Sequence, residues 1–176
     1  MEWEEMTQTR CVIRKGRTED ALYTMAIAKE LLSEGYGLKH HSEFHDSLEK
    51  ERAWISRYEE PEFFLVAEMD GDVVGFLNFD LGALSSTKHQ GTFGVSVKRG
   101  RRNKGTGRKL VGAMIDRCRR TAGIDIIRLN VLESNARAIH LYESLDFQKE
   151  GCFQDYIRKN GRSENLIHMA LHLHSY

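Results

Sequence analysis

The chain has 176 residues, 40% of them hydrophobic and 30% charged, the balance of one globular domain with a sizeable core. Lys plus Arg and Asp plus Glu number 26 each, so no net charge draws the protein to nucleic acid or to an anionic membrane. No apolar run approaches the roughly 20 residues of a membrane span.

The start, MEWEEMTQTR, is acidic and lacks the pattern of a signal peptide. Cys11, Cys118 and Cys152 stand too far apart for a metal or redox pair, which predicts reduced thiols and a cytoplasmic protein. CVIRKG (Cys11–Gly16) predicts a short strand. A helix follows, with Thr18 as its cap and Glu19 and Asp20 at its positive end. Its apolar positions are Ala21, Leu22, Met25, Ala28, Leu31 and Leu32. Ser33–His45 reads as a loop, and Asp46–Tyr58 as a second helix with Leu48, Trp54 and Ile55 on one side. Two apolar, β-rich runs, EFFLVAEM and VVGFLNFDL, flank DGD, a hairpin signal. His89–Val97 is a third strand of this group. After the glycine loop RRNKGTGRK, Leu110, Val111, Met114, Ile115 and Cys118 trace one face of a helix. IIRLNVL is a strand, and SNARAIHLYESLDF a helix that Ser134 can cap. Two last runs meet at Asn160–Gly161, a tight hairpin turn. The order is β α α β β β α β α β β, and it predicts a single domain over residues 1–176 with a locally parallel βαβ unit around the glycine loop.

That loop lies between a strand ending near Val97 and a helix starting near Gly105. A helix N-terminus carries unpaired N–H groups and partial positive charge, and glycines let a ligand approach the backbone. The combination predicts an anion site for phosphate or pyrophosphate. It is neither a Walker A loop nor Gly-x-Gly-x-x-Gly. What stands is Arg102-Asn103-Lys104-Gly105-Thr106-Gly107, that is, Arg-x-x-Gly-x-Gly. This resembles the acetyl-CoA pyrophosphate loop of the GNAT superfamily of N-acetyltransferases. A second stretch, with Asn135, Ala138, Leu141, Tyr142 and Phe147, resembles that family's Asn-x-x-Ala-x-x-Leu-Tyr-x-x-x-Gly-Phe. Thr106 replaces a usually aliphatic residue, and Asp146 stands where the family has glycine. More narrowly, HQGTFGVSV and the tail resemble small bacterial amino-acid or phosphinothricin-type acetyltransferases.

The resemblance covers nearly the whole chain and implies an α/β (α+β) fold. Its features are a mixed, mostly antiparallel twisted sheet of about seven strands, a splayed parallel pair in the middle, and about four flanking helices. It implies direct acetyl transfer from acetyl-CoA to an amine. Backbone N–H groups from Arg102 through Asn103, Lys104, Gly105, Thr106 and Gly107 to Arg108 would hold the pyrophosphate, with Arg102 and Arg108 adding charge. The main chain of Val95, Ser96 and Val97 would lie along the pantetheine arm, and Asn135 and Ala138 would reach the same cofactor. Tyr142 is the family's usual general acid; by helix spacing alone it packs between Ile139 and Leu145.

The base stays open. The family often uses a carboxylate on the strand before the loop, and HQGTFGVSV has none. His89 is one candidate. Glu68 is another, Glu34 or Glu43 could be brought in by loops, and a dedicated base can also be lacking. An α-amine of pKa near 8 is ~10% neutral at pH 7, whereas a Lys-type amine is ~0.04% neutral, which favours amino acids or N-termini as acceptors. Tyr36, His40 and Phe44 of the loop after the first helix are the expected acceptor contacts. His40, His41 and His45 raise a metal, but no further ligand spacing supports one. The expected partner is a small-molecule amine, with neither membrane nor nucleic acid; a homodimer is left open. The alternatives are acetylation of protein N-termini, an acetyl-CoA sensor without turnover, or RNA binding by the basic run Lys98–Lys109.

Overall fold

The computed structural model describes residues 10–38 and 47–174. A seven-stranded sheet runs through them in the order β1-β2-β3-β4-β5-β7-β6. The strands are β1 (Cys11–Lys15), β2 (Phe63–Met69), β3 (Asp72–Leu81), β4 (Gln90–Val97), β5 (Ile126–Leu132), β6 (Gln148–Lys159) and β7 (Arg162–His172). The helices are α1 (Ala21–Ser33), α2 (Leu48–Ser56), α3 (Thr106–Arg120) and α4 (Ala136–Glu143). Every neighbouring pair of strands is antiparallel except β4 and β5. The element order and the mixed sheet agree with the sequence reading.

Local chemistry sets the turns. Asp70–Gly71 and Asn160–Gly161 both take positive φ at both positions, the twist that a two-residue hairpin requires. Two caps differ from expectation. Thr18 opens a short 3-10 turn, and α1 starts only at Ala21, because the Asp20 carboxylate takes the Arg17 N–H at 2.8 Å and two bonds from Arg14. Asn135, not Ser134, caps α4: its Oδ1 accepts the Ala138 N–H at 3.3 Å, while the Ser134 N–H goes to Glu164.

Both faces of the sheet are covered at its centre. On one side α3 presents Leu110, Val111, Met114, Ile115 and Cys118, and α4 presents Tyr142, against Phe63, Leu65, Leu77, Phe79 and Ile127. On the other, α1 and α2 pack on β2 and β3 through Ala21, Ile27, Ile55, Phe64, Val66 and Phe76. This explains why β2 reads as an unbroken apolar run: alternate residues enter different cores. Leu22, expected inside, is 64% exposed, because the buried stripe of α1 starts at Ala21 and runs through Thr24, Met25 and Ile27.

Candidate active site

The parallel pair β4–β5 is bonded only at Gln90–Ile126, Gly91–Ile127 and Thr92–Arg128. Beyond Thr92 and Arg128 the two strands part. The gap forms the end of a cavity of about 900 Å³, walled by Phe93–Val97 on one side and Leu129–Leu132 on the other. At the far end of β4 the glycine loop closes it.

The loop enters α3 through Asn103 at φ 58° and Gly105 at φ 79°. No backbone or side-chain acceptor among the described residues takes the N–H groups from Asn103 to Arg108. Thr106 is buried and ties the loop to itself by donating its hydroxyl to the Arg101 carbonyl at 3.3 Å.

Arg102 is held rather than free. Its Nε donates to the Val97 carbonyl at 2.8 Å, and Nη1 pairs with the Glu34 carboxylate. Nη2 is buried and has no partner among the described residues. An orphaned guanidinium N–H beside unpaired backbone N–H groups fits a pyrophosphate. Glu34, just after α1, also accepts from Arg99 Nε, and Glu30 one turn earlier takes the Arg99 N–H at 2.7 Å. The end of α1 thus clamps the start of the glycine loop. Burial works to raise the Glu34 carboxyl pKa, but the bonds from Arg102 and Arg99 outweigh it, and the group lies below the usual carboxylate range. Arg108 points to the α4 side, where Nη1 donates to Ser144 Oγ at 2.8 Å.

Tyr142 faces the cavity from α4. Its ring meets Phe93 and Phe147 edge to face, with centroids 5.8 and 5.9 Å away. Burial pushes its phenol pKa up to about 12. No hydroxyl partner is found among the described residues, and the hydroxyl is not sealed in the core. The packing role and an open hydroxyl therefore coexist in one side chain. The turn after α4 reverses at Asp146, with φ 68°, so aspartate does occupy a left-handed position there.

Most of the site residues expected from sequence converge on this cavity: Tyr36, Val95, Ser96, Val97, Arg102, Asn103, Gly105, Gly107, Arg108, Asn135, Ala138 and Tyr142 all line it. Lys104 is exposed at the loop tip, and Thr106 supports the loop from below. His89 is not brought to the cavity. It is exposed before β4, at the closed end of the pair, where its carbonyl takes the Asp125 N–H at 2.7 Å. Glu68 lies at the other side of the sheet, bonded to Arg14 at 2.7 Å. His40, His41, Glu43, Phe44 and His45 lie outside the described residues. Sequence reasoning missed Asn78 and Thr92, which also line the cavity; only the strand register brings them there. It named Glu34 as a candidate base, whereas the carboxylate is spent on Arg102 of the glycine loop.

Residues 23–147 match the acetyltransferase (GNAT) family. An L-amino acid N-acetyltransferase of Escherichia coli K12, AaaT, is 36% identical over 106 residues, 60% of this chain and 65% of that protein. An L-methionine sulfoximine/L-methionine sulfone acetyltransferase of Salmonella typhimurium LT2 is 32% identical over 110 residues, 62% of this chain and 64% of its own. The matched segment thus spans less than two thirds of either relative. Among solved structures, the acetyltransferase yncA of Salmonella typhimurium, determined with acetyl-CoA, superposes with a TM-score of 0.87 at 23% identity, covering 96% of both chains.

Proposed function

Because the chain belongs to the GNAT acetyltransferase family, we propose that it moves an acetyl group from acetyl-CoA to the primary amine of an amino acid or a related small molecule. One observation carries the reading: a single cavity joins the unpaired N–H groups at the start of α3, the gap between β4 and β5, and Tyr142. The relatives named for L-amino acid and methionine sulfoximine acetylation support the acceptor class.

Acetyl-CoA supplies the activated acetyl thioester; the chain supplies binding, orientation and a proton. The N–H groups of Asn103–Arg108 and Arg102 Nη2 receive the pyrophosphate. Beyond Thr92, β4 has no strand partner on the β5 side, so its edge offers N–H and C=O groups to the amides of the pantetheine arm. Asn135 takes a smaller part than expected, since its Oδ1 is spent on the α4 cap and only its NH₂ is left to the cavity. Tyr142, protonated throughout the neutral range, gives its hydroxyl proton to the departing thiolate, whose conjugate acid has a pKa of about 8.5, and it is reprotonated as the acylated nitrogen gives up its extra proton to solvent. An α-amine acceptor is ~10% neutral at pH 7 and can attack without a strong base. Neither His89 nor Glu68 is placed to serve as that base.

The test mixes purified protein with acetyl-CoA and a panel of amino acids, polyamines, aminoglycosides and short peptides, and follows free thiol. Amine-dependent release that is greatest for free amino acids supports the reading. Release with peptides alone moves the acceptor to protein N-termini. No release, with acetyl-CoA still raising the melting temperature, leaves a sensor.

A further inference from the structure

Tyr142 approaches the gap between β4 and β5 from the face covered by α3 and α4. The opposite face carries its own polar pair. Along β3, Leu77 and Phe79 belong to the α3 side, so Asn78 and Asp80 point to the other. Register places Asn78 opposite Gly94 and Asp80 opposite Thr92, the last β4 residue paired with β5. The two residues therefore stand near the closed end of the gap, away from the phosphate loop beyond Val97.

The Asn78 amide is oriented by its neighbours. Its Nδ2 donates to Asp80 Oδ2 at 2.7 Å. Asp80 is fixed in turn by Arg57 Nη2 at 2.6 Å and by the Tyr58 hydroxyl at 3.2 Å. With Nδ2 engaged, Oδ1 turns toward Gly94: a Cβ at that position would stand 2.9 Å from it. Glycine at 94 thus keeps the oxygen uncovered. Asn78 lines the cavity, and its Oδ1 accepts no hydrogen bond among the described residues.

We propose that Asn78 Oδ1 accepts an N–H of the incoming amine, and that Asp80 is the positioning residue that keeps this oxygen turned to the cavity. The inference rests on the acetyl-transfer reading above. An amide oxygen only accepts, so it selects a donor and leaves the nitrogen lone pair for the thioester carbon. The amine and Tyr142 then flank the thioester from opposite faces of the sheet, so the attacking and leaving groups do not compete for one space.

Steady-state kinetics with the best amine of the panel, together with acetyl-CoA affinity by calorimetry, test this on the full chain. Asn78→Leu keeps the bulk and removes the acceptor; Asn78→Ala is the second variant should the leucine not be accommodated. The expected result is an amine KM raised about two- to tenfold, the loss of one hydrogen bond from a neutral donor, with acetyl-CoA affinity unchanged. Asp80→Asn, which lets the amide turn over, raises the amine KM less. In the Asn78→Leu background it has no further effect, a non-additivity that a merely structural role of Asp80 would not give. An unchanged amine KM in both Asn78 variants overturns the inference. So does a loss that appears in acetyl-CoA affinity instead, which would assign the oxygen to the pantetheine arm. A wild-type chain that turns over no amine overturns the transfer reading itself.

Discussion

At the scale of single residues, Tyr142 and Glu34 each carry two demands. Tyr142 fills a hole between Phe93 and Phe147 and still keeps its hydroxyl out of the sealed core. Replacing it by phenylalanine keeps the ring contacts and removes the proposed acid. The expectation is a kcat lowered ~10²–10⁴-fold, acetyl-CoA affinity retained and the melting temperature little changed; stopped-flow thiol release and calorimetry check it. Glu34 is 11% exposed and faces Arg102, itself 10% exposed. Glu34→Gln leaves the guanidinium without its counter-ion. A loss of about 1–3 kcal/mol is expected, the scale of a buried hydrogen bond to a charged group. Thermal unfolding measures it, and an unchanged stability would show that the clamp between α1 and the glycine loop holds nothing.

At the scale of elements, the start of α3 depends on backbone conformation more than on side chains. A Cβ at Gly105 would meet nothing within 4 Å, yet φ is 79°. Gly105→Ala therefore costs only the left-handed conformation, about 1–2 kcal/mol, or about 2–8 °C in melting temperature for a chain of this size. Relaxing the strain would swing the loop N–H groups away, so acetyl-CoA affinity should fall with it. A variant that melts lower but binds acetyl-CoA as tightly would mean that the N–H cradle does not need this turn. The same logic made the two hairpins readable: Asp-Gly and Asn-Gly can take two left-handed residues in succession, and few other pairs can. The helix starts were less readable. Thr18 and Ser134 are good caps in isolation. At α1 the Asp20 side chain turns back to the Arg17 N–H and to Arg14 and makes no cap bond to the helix, and at α4 it is the Asn135 side chain that accepts the Ala138 N–H.

At the scale of the whole molecule, pH separates the two ends of the cavity. Glu34 lies below the usual carboxylate range, so its contribution is complete above about pH 4.3, the ordinary unfolded value, and fades as pH falls through the lower folded one. Tyr142, raised by burial to about 12, binds its proton more tightly folded than unfolded; stability drops as pH rises from about 10 to 12. Melting curves across pH should show both limbs. Glu34→Gln should lessen the acid limb, which Asp20 and Glu150 share, and Tyr142→Phe the alkaline one, which Tyr58 and Cys118 share.

The division between sequence and tertiary structure follows from the range of the forces involved. Element order, hairpin turns, the glycine loop and the α4 motif rest on interactions within a few residues, so patterns of apolar periodicity, glycine and capping chemistry reveal them. From the chain alone one can thus place Arg102–Arg108 and Tyr142, and with them the family. Where charges meet is another matter. Glu34 and Arg102 are 68 residues apart, and Asn78 reaches Gly94 only because β3 and β4 pair in one register and not its neighbour. A shift by one residue would turn Asn78 and Asp80 into the apolar core. His89 shows the converse. Its chemistry suits a base, but the parallel pairing of β4 with β5 begins one residue later and holds it at the closed end, outside the cavity. Residue chemistry was written locally; which groups share the cavity was decided by strand register and by where two parallel strands stop pairing.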